Sequence, residues 1–340
     1  MKTACGRREW AAIKGGIVAG LVAAAVALGF AGAAWAQGAK IKVGRTTGAS
    51  GFHIPTYVAM DRGLFKAEGL DAEFVNMTAG ELVRAAIAKE IDFAPVPGAG
   101  AEAMLKGAPL VFVVGESLVS QWTLVTAKGV EKPEDLKGKT LGMGRPGSAD
   151  YGEFVVILAK FFKMELGKDF KVINFRGEPE RIAALISGSI QGAVLSFPHA
   201  ARAEAEGLKV LLRAGDYQPR MGGTISTHRD NIRDRRDAMK RFVRAVAKAC
   251  DMIRADRPET LAVIKKHFQI DDARVAENLY SQIRDKFSPQ MPRDLLRQLF
   301  ESVATPELGW PKEKPLPDLE QFVARDLLAE VLREMGKPVN

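Results

Sequence analysis

Gly142, Gly144 and Gly147 stand at G-x-G-x-x-G spacing, after a short apolar run and before a helical one. Glycines so placed let backbone N–H groups close on a phosphate at a helix start. A dinucleotide site also needs an acid at the end of the next strand to hold a ribose. That strand, FKVINF, ends in Asn174-Phe175-Arg176, so the glycines admit some other ligand to the backbone. The four histidines (His53, His199, His228 and His267) are far apart, and no Cys or His stands at metal-ligand spacing. The G-x-S-x-G elbow and S-x-x-K pair of serine hydrolases are missing. What remains is recognition chemistry: small, polar and aromatic residues gathered where strands run out and helices begin.

Those junctions are written twice. NMTAGELVRAAIAKEIDFAPVPGAGAE (76–102) and NFRGEPERIAALISGSIQGAVLSFPHAA (174–201) each read as a strand end, a Gly-bearing loop, a helix opening on Glu, and a buried strand broken at Pro. Ile91 falls on Ile190, an offset of 190 − 91 = 99, and Gly44-Arg45 falls on Gly144-Arg145, an offset of 100. In YGEFVVILAKFFKMEL, Phe154, Ile157, Leu158, Phe161 and Phe162 make one helical face. Each copy is thus βαβαβ, which predicts a parallel sheet with helices on both faces. The apolar run PLVFVVGESLVSQWTLVTAK (109–128) and the β-rich GGTISTHRD (222–230) carry the chain between the copies. After them the chain is helical, with Met239, Phe242, Val243, Val246, Cys250 and Ile253 on one face. Further helices are expected from Pro258, Ala273 and Pro292, and a last one in LPDLEQFVARDLLAEVLREMG stops at Gly336. Two domains joined by two crossings make a hinge and a cleft.

Residues 1–36 read as a secretory signal, with Lys2, Arg7, Arg8 and Lys14 before a long apolar run and Ala34-Trp35-Ala36 as the cleavage site. An uncleaved anchor is the competing reading, and Arg7-Arg8 matches a twin-arginine signal only poorly. Cleavage after Ala36 leaves 340 − 36 = 304 residues and lowers the charge from +8 to +5, since the signal carries four basic residues and Glu9. No basic stripe with interleaved aromatics calls for nucleic acid. Cys5 leaves with the signal, so Cys250 has no intramolecular disulfide partner.

YVAMDRGLFKAEGLDAEF, AAIAKEIDFA, VEKPEDLKGKTLGM, ALISGSIQGAVLSFP and QWTLVTAK together resemble the substrate-binding proteins of ABC importers. The branch is the one that handles aliphatic sulfonates, taurine, nitrate and thiamine-pyrimidine precursors. The resemblance spans roughly Lys40 to Asp256. It implies the α/β type II periplasmic-binding fold, with two βαβ-repeat lobes, two crossover strands, and C-terminal helices on lobe 1. It places lobe 1 at 39–123 and 225–340 and lobe 2 at 124–224. The implied protein is a periplasmic monomer that holds a small ligand between its lobes and hands it to a permease–ATPase complex in the inner membrane, with no cofactor, metal or nucleic acid. One branch similar in fold makes the thiamine pyrimidine with a Cys-rich motif and pyridoxal phosphate; this chain lacks those cysteines, so a carrier rather than an enzyme is expected.

In such sheets ligands sit at the carboxyl ends of strands, against helix N-termini whose free N–H groups favour anions. The candidate contacts from the first copy are Ser50, Phe52, His53, Thr78 and Gly98, with Ser120 and Gln121 beside the crossover. The second copy offers Gly147, Ser148 and Tyr151, then Ser196, Phe197 and His199. Ser148 also suits an ordinary N-cap, and Arg45 and Arg145 suit either a counter-ion role or structural pairing. Opposed helix starts at Thr78–Gly80 and Gly147–Ala149 favour a sulfonate or carboxylate. Asp150 and Glu116 would instead suit a cation or an amide N–H, as a pyrimidine would present.

Overall fold

The computed structural model describes residues 38–218, 220–306, 309–311 and 313–339, so the proposed signal and its cleavage site lie outside the described residues. Strand β1 (Ala39–Thr46) alternates exposed Lys40 and Lys42 with buried Ile41 and Val43, the period-2 pattern of a strand with one face on a core. A 3-10 turn at Gly51–His53 leads into α1 (Ile54–Asp61), whose second residue, Pro55, occupies a position that needs no N–H partner. Then come α2 (Leu64–Ala67), β2 (Leu70–Met77), α3 (Ala79–Ile87), α4 (Pro97–Leu105) and β3 (Leu110–Ser117).

The buried strand expected around Ile91 is shorter than its counterpart in the second copy. It survives as a parallel bridge from Val43 to Phe93 and an antiparallel one from Ala94 to Ser226. Pro95 and Pro97 follow at once and cannot donate to a ladder, which ends the pairing. The bridges still join β1 and β2 to the antiparallel pair formed by β3 and the return strand.

The second lobe contains β4 (Thr123–Thr126), β5 (Thr140–Met143), α5 (Ala149–Phe162), β6 (Lys171–Asn174), α6 (Glu178–Ile186), β7 (Gly192–Leu195), α7 (Phe197–Ala205) and β8 (Lys209–Arg213). Its five strands lie in the order β6-β5-β7-β4-β8. Here β5 runs parallel to β6 and β7, as the repeat predicts, but β4 is antiparallel to both β7 and β8. The sheet is therefore mixed, because the crossover strand enters the lobe against the direction of the repeat. Leu141, Phe154, Ile157 and Leu158 pack one face, and Ile182, Leu185, Ile190 and Leu195 the other.

The return strand β9 (Gly223–His228) pairs with β3, and the helices α8 (Arg229–Asp234), α9 (Arg236–Ala255), α10 (Arg257–Phe268), α11 (Ala273–Ile283), α12 (Arg293–Val303) and α13 (Arg325–Glu334) follow. All six apolar residues predicted for one face of α9 are buried. Phe242 stacks on Phe93 and Phe65, which fixes α9 on lobe 1 and is worth roughly 2–3 kcal/mol of apolar burial for that ring alone. The last predicted helix is split. Val323 bridges Phe112 of β3, so only Arg325–Glu334 is α-helical, and Gly336 at φ 66° closes it.

Candidate functional site

A cavity of about 450 Å³ lies where the two lobes meet. Lobe 1 supplies the loop after β1 and the starts of α3 and α4; lobe 2 supplies the loop between β5 and α5 and the start of α6. Of the thirteen predicted contacts, Ser50, Phe52, His53, Thr78, Gly98, Gly147 and Ser148 line it. The aromatic wall includes two residues that sequence reasoning did not single out, Trp122 and Phe175. Trp122, beside the crossover, packs against Phe52 with ring centroids 4.8 Å apart. Its position beside the crossover was the only signal available.

The other six do not line the cavity. Ser196 is fully buried: its hydroxyl donates to Glu178 and accepts from the Gly51 N–H at 3.3 Å. His199 Nε2 meets the Gly48 carbonyl at 3.0 Å. Both therefore tie lobe 2 to the loop after β1. Ser120 donates to Glu153 at 2.8 Å and Gln121 to Ser117 at 2.9 Å, which holds the crossover in shape. Tyr151 packs against the lobe 2 core, and Phe197 opens α7 off the cavity wall.

The walls are in contact. A Cβ built on Gly98 would lie 2.7 Å from Ala149 Cβ, and one on Gly147 would lie 2.9 Å from Glu102 Oε2. At the rim Arg176 of lobe 2 reaches Glu81 of lobe 1 at 3.8 Å. The cleft is closed, with its glycines where a side chain would hold it open.

Charge is distributed unevenly. Inside, the carboxylates have partners of their own. Asp150 pairs with Arg181 at 2.6 Å and accepts from the Gly144 N–H and the Ser148 hydroxyl. Burial alone would raise its pKa, but Arg181 and these donors together hold it below the ordinary value. Glu116 is taken by His53 and Thr56. Neither acid is thus open to a ligand cation in the way the sequence allows. The Ser148 hydroxyl caps no helix N–H; like Thr78, which donates to Glu81, it gives its proton to a carboxylate. Acids stand in the first turns of α3, α5 and α6, so each helix dipole is partly met from within.

The exposed rim is different. Arg84, Arg145, Arg176 and Lys106 line it, against the carboxylates of Glu81 and Glu102. Neither Arg84 nor Arg145, which face the cavity from opposite lobes, has an ion-pair partner among the described residues. Arg45 is turned away, bonded to His267 at 3.0 Å and lying over the Tyr57 ring.

Glu178 is the acid that sequence reasoning missed. It lines the cavity, and burial pushes its pKa up despite the nearby His199 and Arg181 charges and the Ser196 donors. A carboxyl raised on folding binds its proton more tightly in the native state. Its contribution to stability is therefore full below the ordinary glutamate value near 4.5 and is lost as pH rises through the raised one. Glu178→Gln should flatten that decline, so the parent's melting temperature should fall relative to the variant's as pH rises above about 4.5. Melting temperatures that stay parallel above that pH would contradict the assignment.

The chain matches the NMT1/THI5-like family over residues 51–260. No curated protein sequence matches it. Among solved structures, the nitrate-binding protein NrtA of Synechocystis PCC 6803 superposes with a TM-score of 0.72 at 14% identity, over 89% of this chain and 90% of that one. The alkanesulfonate-binding protein SsuA of Xanthomonas axonopodis pv. citri gives 0.67 at 17% identity, over 79% and 92%. The desulfurization enzyme DSZB gives 0.61 at 13% identity, over 87% and 99%. At such identities the likeness is one of fold, and the fold is that of the periplasmic binding proteins, as the repeat and the two crossings imply. With more than half its length matched by one family, the chain is a member of the NMT1/THI5-like family.

Proposed function

We propose that this is an exported solute-binding protein that captures a small organic anion, a sulfonate or carboxylate, between its lobes and delivers it to an ABC importer. The observation that carries this reading is the pair of guanidiniums, Arg84 and Arg145, that line an apolar cavity from opposite lobes with no carboxylate in ion-pair contact among the described residues. Guanidiniums suit planar or tetrahedral oxyanions, and Phe52, Trp122 and Phe175 suit the apolar body behind the acid group. The acid therefore lies toward the rim, assisted by the N-terminal turn of α3, rather than on helix dipoles alone. SsuA and NrtA bind anions, which agrees with this choice.

The lobes are assigned as 39–123 with 225–340, and 124–224, because the two packed clusters of the second sheet fall within 124–214. Cleavage after Ala36, a periplasmic location and a monomeric state belong to the same reading. We read the protein as a carrier rather than a catalyst: its acids are engaged structurally, and Cys250 is buried in α9. The aromatic wall also favours a second ligand class, a thiamine-pyrimidine-like heterocycle.

A melting panel of sulfonates, carboxylates, nitrate and neutral pyrimidines separates these readings. An organic acid at a hundred times its dissociation constant should stabilise the protein by about 2.7 kcal/mol. In the Arg84→Ala, Arg145→Ala double variant that shift should largely vanish, while the ligand-free melt stays within about 1 °C, as for other exposed sites. A shift with pyrimidines alone would overturn the anion reading.

A further inference from the structure

His53 and Glu116 form a buried pair that the anion reading does not use. The imidazole Nδ1 and Glu116 Oε2 are 2.5 Å apart, with side-chain exposures of 3% and 0%. Glu116 Oε1 accepts from both the backbone N–H and the hydroxyl of Thr56, at 3.0 and 2.6 Å. Its own main-chain carbonyl is held by the Ser288 N–H at 3.0 Å. The carboxylate is thus fixed in position and supplied with three donors.

An ionised carboxylate only accepts, so Nδ1 must carry the proton that lies between them. In the neutral imidazole this fixes the one ring proton on Nδ1. In that tautomer Nε2 is a bare lone pair. Nε2 has no partner among the described residues, and His53 is a buried part of the cavity lining, whereas Arg84 and Arg145 are exposed parts of it.

We propose that His53 is a specificity-determining contact that accepts a hydrogen bond from the ligand, and that Glu116 is the positioning residue that fixes its tautomer. The inference rests on the organic-acid reading and narrows it. The ligand is an acid whose far end bears a hydroxyl or N–H donor, with an apolar body between. Such a site discriminates strongly, because an analogue without the donor leaves a rigid, buried acceptor unpaired.

The test uses matched acids: 4-hydroxybenzoate against 4-methoxybenzoate, and 5-hydroxypentanoate against 5-methoxypentanoate, titrated by calorimetry. In at least one pair the hydroxy acid should bind about tenfold or more tightly than its methyl ether. In His53→Leu that ratio should fall to within about twofold, the level at which no buried acceptor is left to satisfy. Nitrogen-15 NMR of the unliganded parent should show His53 protonated at Nδ1 and bare at Nε2. In Glu116→Gln, whose amide can donate to Nδ1, the other tautomer should grow and the ratio should shrink. Acids that bind without preference for the donor would overturn this inference and leave the anion reading standing. An imidazolium or an Nε2–H tautomer in the free parent would overturn it directly. If no acid of either kind binds, the anion reading fails and this inference fails with it.

Discussion

Glu153→Ala should cost the fold about 3–5 kcal/mol, the usual penalty for leaving one member of a buried ion pair alone. Glu153 of α5 pairs with Arg220, and the two side chains are 0% and 1% exposed. Ser120 donates to the same carboxylate, and the Arg220 guanidinium also reaches the Met221 carbonyl at 3.0 Å. Ser120 stands just before β4 and Arg220 just before β9, so one buried pair pins both crossings to lobe 2. Removing the carboxylate strands a guanidinium that no water reaches, and for a chain this size the melt should fall by roughly 5–10 °C. The Glu153→Met, Arg220→Met double variant should lose less than Glu153→Ala, because it leaves no lone charge. Thermal melts of the three proteins decide it: a double variant worse than the single would show that the pair contributes net stability.

Gly98→Val should leave the fold intact and cost ligand affinity about a hundredfold or more, which is about 2.7 kcal/mol. Gly98 sits in the first turn of α4, where its missing Cβ admits Ala149, with Cβ and Cα at 2.7 and 3.0 Å from the position a Cβ would take. Those atoms belong to the start of α5 and cannot step aside without moving the lobe. A valine there wedges the cleft open, and hinge closure about a ligand is what binding in this architecture requires. Small-angle scattering should show the parent contracting with ligand and the variant unchanged. A variant that contracts and binds like the parent would mean that the walls do not need to meet.

The repeat was legible because helices, strands and their Pro and Gly punctuation leave local marks. Gly147 and Ser148 could be placed at the cavity from such marks alone, since a loop between strand and helix has only one end of the sheet to occupy. The antiparallel entry of β4 left no mark, because strand direction is decided by which lobe the chain has come from. Side-chain partners were equally hidden. Nothing local says that Asp150 is spent on Arg181, thirty-one residues away, or Glu116 on His53. Ser196 and His199 were assigned to the ligand when their partners are the loop around Gly48 and Gly51. That contact exists only when two lobes, a hundred and fifty residues apart in sequence, close on each other. The two rim arginines outside any ion pair were invisible for the same reason: Arg84 and Arg145 look like any exposed arginine until their neighbours are known.

The most direct test of the organic-acid reading is to identify what the protein carries. Exported protein, purified without added ligand, should show a one-to-one complex in native mass spectrometry, and denaturation should release a small organic acid detectable in negative-ion mode. Neutralising Arg84 and Arg145 together should yield protein that emerges empty. A neutral or cationic compound in the cleft, or an acid retained equally by the double variant, would contradict the account.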